Sequence, residues 1–165
     1  RAPILERNRV NPYINTAPFV VKNSESDWKV YYVSGTEWIH KDLPRYNIQM
    51  GTSSDGLEWK RSGDICIDFL PGENALARPY VLKEGDLYKM WFASKGEAYR
   101  LQYAESEDGQ SWARRPDLFS IAPTPNGYDS EMMEYGAVVN FAGQKILFYN
   151  GNNYGAEGIA LAINE

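Results

Sequence analysis

The segment GYDSEMMEYG, residues 127–136, sets Asp129, Glu131 and Glu134 within six positions. Carboxylates held this close raise one another's pKa, as a general acid working near neutral pH requires. The plainer reading is a solvated loop with one capping carboxylate. Other groups with chemical reach are Arg78 in ALARPY, Glu73 and Asn74 in GENALARP, and Glu37, Trp38 and His40 in SGTEWIH. YNGNNYG adds Asn150 and Asn152, followed by Asn153 and Tyr154. An arginine fork can grip an anionic group or hydroxyls, or simply form a salt bridge to a nearby carboxylate. Asn amides suit polyol recognition, and Asn and Gly also simply make turns. His40 is the only histidine and Cys66 the only cysteine. A zinc cage needs several such ligands, so no metal site is expected and no cofactor is called for. A Ser-His-Asp triad would have to use His40, which reads better as an exposed or hydrogen-bonded loop residue.

The net charge is −5, and no Lys/Arg run marks a phosphate-tracking face, so nucleic acid is not an expected partner. No apolar stretch approaches membrane-spanning length, so neither is a membrane. One cysteine allows no internal disulfide; the expected compartment is cytoplasmic, with secretion left open. Arg1 in place of Met leaves room for a leader or an upstream segment.

These residues must be positioned by something, and the chain shows what. Its 165 residues, 43% hydrophobic and 14% aromatic, suit one globular domain with a core. Three units line up, at about 13–63, 75–115 and 130–165. The first reads TAPFVVK, WKVYYVSG and YNIQMGTSSDGLEW. The second reads ARPYVLKEGD, LYKMWFASKG and YRLQYAESEDGQSW. The third reads YGAVVNFAGQ, KILFYNGN and GIALAINE. Each segment is short, β-branched or aromatic, and bounded by turn residues, which is the strand signature. KVYYVS, YKMWFAS and KILFYN alternate with period two, and no stretch keeps a helical period. The expected fold is all-β: four-stranded antiparallel meanders that read as the blades of a β-propeller.

SSDGLEW and SEDGQSW, with Trp59 and Trp112 53 residues apart, fall between the third and fourth strands of their units. Asp-Gly favours a tight turn, because Gly accepts positive φ. The motif therefore reads as a structural joint before a ligand loop, with its Trp placed to cover the seam between blades. The third unit stops short of this joint. PILERN, residues 3–8, reads as a strand of a neighbouring or closing blade. Three blades are too few for a ring, which implies a longer chain or homo-oligomers that pair open edges.

The strings APFVV, VYYVSG, ARPYVLKEGDLYKMWFAS, YDSEMMEYGAVV and YNGNNYGAEGIALAINE resemble the five-bladed β-propeller glycoside hydrolase superfamily. That group includes arabinanases, invertases and levansucrases, in relatives of families 43 and 32. The resemblance covers nearly the whole chain and implies about three blades at the C-terminal end of a larger propeller. It implies a carbohydrate ligand and a central acidic funnel, lined by the innermost strands, where two carboxylates act on the glycosidic bond. Glu134 in EYG matches the Glu-x-Pro of the general acid, with Gly in place of Pro. The Asp that precedes Pro in the superfamily is replaced by Ala17 and Arg78. Trp38, read with Glu37 and His40 as part of a long loop after the second strand of the first unit, then becomes a candidate for stacking on a sugar face, and Arg78, Glu73, Asn74, Glu37, His40, Asn150 and Asn152 become candidates for binding. Three functions stay open: a glycosidase, a non-catalytic sugar-binding module, and a self-assembling propeller fragment.

Overall fold

The computed structural model describes residues 3–163. Three antiparallel meanders follow one another. The first is β1 (Asn15–Ser24), β2 (Asp27–His40), β3 (Leu43–Ser53) and β4 (Ile65–Ile67). The second is β5 (Ala75–Glu84), β6 (Leu87–Lys95), β7 (Tyr99–Ser106) and β8 (Ala113–Arg114). The third has three strands, β9 (Glu134–Phe141), β10 (Gln144–Asn150) and β11 (Ile159–Ile163). A single parallel bridge between Tyr46 and Ala75 links the first two meanders into one eight-stranded sheet, and the third is separate. The one helical turn, α1 (Asn152–Gly155), contains left-handed Asn153 and Tyr154 and is better described as a tight loop.

The meanders pack face to face, so the core lies in two seams. Tyr31, Ile48, Leu76, Met90 and Phe92 fill the seam between the first and second. Trp91, Leu101, Met133, Val138 and Leu147 fill the seam between the second and third. This changes the meaning of the period-two pattern. In β6, Tyr88, Met90 and Phe92 face one seam while Trp91 faces the other. The alternation runs between two apolar surfaces, not between core and water: β2 is buried continuously from Lys29 to Gly35 and β6 from Met90 to Ser94. The far face of the third meander leaves Phe141, Phe148, Ile159, Leu161 and Ile163 exposed.

Two expectations need correction. SGTEWIH is not a loop: Glu37, Trp38 and His40 continue β2, paired with Arg45, Pro44 and Leu43. Only Lys41 and Asp42 make the turn. β-branched and aromatic residues on both sides of a two-residue turn extend the hairpin. PILERN forms no strand. Residues 3–14 form an irregular arm, pinned where fully buried Asn11 donates to Ser34 and Gln49 and accepts from Tyr32.

The SDG joints lie between the third and fourth strands. Asp108 Oδ1 accepts from the amides of Gln110 and Ser111, and Ser106 Oγ from that of Gly109. Asp55 and Ser53 repeat the pattern with Leu57, Glu58 and Gly56. Those amide bonds hold Asp108 at a pKa of about 2. The second joint also closes the first seam. The Gly109 carbonyl accepts from Tyr31 Oη at 2.9 Å, and Trp112 meets the Tyr31 ring edge-on at 5.5 Å.

The two joints are alike in backbone and unlike in consequence. Gly56 and Gly109 both sit at positive φ, 74° and 70°. A Cβ at Gly56 would meet the Trp28 ring at 3.4 Å, but one at Gly109 would meet Tyr31 Oη at 2.8 Å. Gly56→Ala is expected to cost about 1 kcal/mol, for the left-handed backbone alone. Gly109→Ala is expected to cost about 2 kcal/mol or more, because Tyr31 must also move. Urea unfolding of both variants checks this, and equal losses would count against a seam contact at Gly109.

Candidate active site

The first strand of each meander carries the same kink. Ala17, Arg78 and Tyr135 have φ of 48°, 49° and 57°, the left-handed region that favours glycine. Each directly precedes Pro18, Pro79 or Gly136, and each falls at a break in strand register. Such a residue costs about 1–3 kcal/mol and persists only where its surroundings compel it. Three kinks at equivalent positions bring the three first strands around one cleft of about 340 Å³. Thr16, Ala17, Tyr46, Ala77, Arg78 and Tyr135 line it.

Glu134 begins β9, one residue before the third kink. It is 0% exposed, and neither carboxylate oxygen has a hydrogen-bond partner. Burial pushes its pKa up to about 7; Tyr135, Arg78 and Lys95 pull the other way without overcoming it. The Tyr135 hydroxyl comes near without reaching hydrogen-bond geometry. Around this carboxyl stands a group of tyrosines. The hydroxyls of Tyr46 and Tyr99 bond to each other. The Tyr99 ring lies 6.3 Å from that of Tyr135 and 6.4 Å from that of Tyr154. Burial raises the pKa of Tyr46, Tyr99 and Tyr135, the last to about 12, so all three are neutral hydroxyls at neutral pH. Two cations sit on these rings: the Arg78 guanidinium 4.9 Å from the centre of Tyr135, and the Lys95 amine 5.4 Å from that of Tyr99.

Of the residues singled out in the sequence, Glu134 and Arg78 belong to this group. Asp129 is buried elsewhere in hydrogen bonds, accepting from the Thr124 amide and the Tyr149 hydroxyl. Burial alone would raise its pKa, but those bonds outweigh it and the pKa is lowered. The Glu131 side chain is exposed, while its backbone bonds to Asn152 and Arg100. Neither acid contributes to the shift at Glu134, so burial, not a crowd of carboxylates, raises it. Asn152 clamps the loop that leads into Glu134. Its Oδ1 accepts from the amides of Glu131 and Met132, and its Nδ2 donates to Gly127 and Ser130. Asn150 is the register partner of Glu134 and donates to the Tyr154 carbonyl. Glu73 is held by both nitrogens of the Arg114 fork, at 2.8 and 2.7 Å. Asn74 joins Lys95 through its backbone and leaves its buried Oδ1 unpartnered. Glu37 pairs with Arg45, His40 Nδ1 accepts from the Asp42 amide, and Trp38 is half exposed; none of the three lines the cleft.

Tyr46, Tyr99 and Lys95 were not singled out from the sequence. A signal was there: Tyr46 and Tyr99 are 53 residues apart, the spacing of the two SDG joints. They are the same position in successive units, and the fold brings their hydroxyls together.

A second cleft, about 440 Å³, lies in the second seam among Trp91, Tyr103, Phe119 and Leu147. Its charges are already paired: Lys89 and Lys145 on Glu84, and Glu105 on Arg115. That leaves it no free group for chemistry. Among the described residues, no three of His, Cys, Asp or Glu come together as a metal site would need.

No protein-family model matches the chain. Over 166 residues, 99% of this chain, it is 31% identical to the uncharacterized protein Rv1502 of Mycobacterium tuberculosis. The chain spans 55% of the length of that relative. A thermostable family-43 glycoside hydrolase superposes with a TM-score of 0.74, over 98% of this chain and 56% of its own, at 16% identity. The Bombyx mori GH32 beta-fructofuranosidase BmSUC1 gives 0.70, over 90% and 33%, also at 16% identity. The chain therefore has the fold of the β-propeller glycoside hydrolases, the superfamily that its sequence resembles.

Proposed function

We propose that this chain belongs to a carbohydrate-active protein of glycosidase type, with the cleft at Glu134 as its sugar site. The single observation that carries the reading is Glu134 itself: a fully buried carboxyl with no hydrogen-bond partner and a pKa of about 7, beside a cleft. A carboxyl in that state keeps its proton well above the usual carboxylate range. Once a shift of neighbouring Tyr135 opens it to the cleft, it can give that proton to the leaving oxygen of a glycosidic bond. The neutral hydroxyls of Tyr46 and Tyr135, which line the cleft, supply donors and acceptors for a polyol, and their rings supply faces for a sugar to stack on. The fold of the family-43 and GH32 enzymes supports this assignment.

Two-carboxylate hydrolysis needs a base or nucleophile across the sugar. The positions equivalent to Glu134 in the other two first strands are Thr16 and Ala77, which supply none. In a hydrolysis, that second group comes from outside these three strands. The lone carboxyl also favours a second reading, a site that binds sugar without cleaving it. Five-bladed closure and association through the exposed face of the third meander belong to the same proposal. Turnover of a panel of aryl glycosides and oligosaccharides separates the two readings. The enzymatic one expects hydrolysis that falls by about a hundredfold or more in Glu134→Gln. Undiminished turnover in that variant would remove Glu134 from the mechanism, and binding without turnover would leave the second reading.

A further inference from the structure

We propose that the cleft takes a saccharide bearing an anionic substituent, a uronate carboxylate or a sulfate ester, and that Arg78 receives the negative charge. This rests on the reading of the cleft as a carbohydrate site and names its substrate class.

Arg78 is set apart from the other arginines of the strands. Arg45 pairs with Glu37, Arg114 grips Glu73, and Arg100 donates to the carbonyls of Tyr99 and Glu131. Arg78 has no ion-pair or hydrogen-bond partner among the described residues, although it lines the cleft. The kink at φ 49° exposes it in a strand whose neighbouring residues, Ala77 and Pro79, are buried. The guanidinium lies over the Tyr135 ring, 4.9 Å from its centre, and its N–H donors are not taken up by any side chain or carbonyl among the described residues. Two parallel N–H donors match a carboxylate or sulfate better than they match single hydroxyls.

Lys95 adds a second cation, seated over Tyr99 and also without an ion pair among the described residues. Glu134 pairs with neither: its buried oxygens bond to nothing, and burial disfavours its charged form. Arg78 thus gives the cleft lining an unpaired positive charge, with Lys95 on the neighbouring Tyr99 ring adding to it, in a chain whose net charge is −5. A neutral sugar that displaced water here would leave the Arg78 charge unanswered, whereas an anionic sugar would answer it. The cleft volume, about 340 Å³, falls in the range of small-ligand sites.

The test is calorimetric binding of uronate oligosaccharides against their methyl esters, which keep ring and linkage and lose only the charge. Sulfated and unsulfated forms of one neutral oligosaccharide make the second arm. The acid or the sulfate is expected to bind about tenfold tighter than its neutral counterpart, and the preferred arm identifies the substituent. The gap is expected to narrow in high salt and to close in Arg78→Gln, with partial recovery in Arg78→Lys. Circular dichroism verifies that both variants fold. Equal binding of charged and neutral forms, or a gap that survives Arg78→Gln, would overturn the anionic assignment and leave the carbohydrate reading standing. No binding by any saccharide would overturn both.

Discussion

Glu134→Gln is expected to gain about 2 kcal/mol relative to the native chain when unfolding is measured at pH 8 instead of pH 4.5. The cause is proton linkage. Glu134 has a pKa of about 7 in the folded chain, against 4.5 for the free side chain. Below pH 4.5 both states carry the proton and burial of the carboxyl has no ionic cost. Between 4.5 and 7 the folded state keeps a proton that the unfolded state has lost, so stability falls as pH rises. Above 7 the penalty is complete. Each tenfold difference in proton affinity between the two states is worth about 1.4 kcal/mol, and relaxation around the ionised carboxyl reduces the total to on the order of 2 kcal/mol. Gln has nearly the same shape and no proton to lose, so its stability lacks this slope. Urea titrations of both proteins at pH 4.5, 6 and 8 decide it; parallel curves would show that Glu134 ionises freely. The same linkage sets the pH profile of any turnover, since a proton donor is exhausted as pH rises through about 7.

Asn11→Ala is expected to cost about 3 kcal/mol, more than any other single truncation in the irregular arm. Asn11 is 0% exposed. Its Nδ2 donates to Ser34 Oγ at 2.9 Å and Gln49 Oε1 at 2.7 Å, and its Oδ1 accepts from Tyr32 Oη at 3.0 Å. Truncation strips Gln49 Oε1 and Tyr32 Oη of their bonds to Asn11 inside the protein, and leaves Ser34 Oγ only its longer bond to Asn15 Oδ1. A buried polar group left unpaired costs about 1–3 kcal/mol, and losses within one network do not add fully. Asn8 offers the contrast. Its Oδ1 accepts from the amides of Val10 and Asn11, with the Val10 bond at the surface, so Asn8→Ala is expected to cost only about 1 kcal/mol. Chemical denaturation of both variants is the measurement. A loss below about 1 kcal/mol at Asn11 would mean that water replaces its bonds and that the arm is not fastened there.

The contrast between Asn11 and the SDG joints shows what the sequence could and could not convey. The joints were legible because their physics is local: Asp, Ser and Gly within four residues settle the turn wherever it sits. The strands were legible for a similar reason: short β-branched and aromatic runs bounded by turn residues mark themselves locally. Asn11 reads as one more polar residue in a loop, and only distant Ser34 and Gln49 reveal it as a core residue. Asp129 is the mirror case: an acid in an acidic cluster that Tyr149, 20 residues on, turns into a structural bond. Glu134 and Arg78 were legible as a pair of positions because both lie at the start of a first strand. Tyr46 and Tyr99 were hidden because a strand tyrosine looks the same whether it faces a seam or a cleft. Trp38 was misread because a hairpin extended by Glu37 and His40 carries the same polar residues as a loop.

The two-sided burial of β6 has a mechanical consequence. Tyr88, Met90 and Phe92 brace one neighbour while Trp91 braces the other, on a single nine-residue strand. The middle meander is therefore a shared wall. A shift that accommodates a change in one seam is transmitted through the pleat to the next, because a strand cannot turn one set of side chains without turning the other. Three meanders that look modular on paper are geared together, and the chain is expected to unfold as one cooperative body.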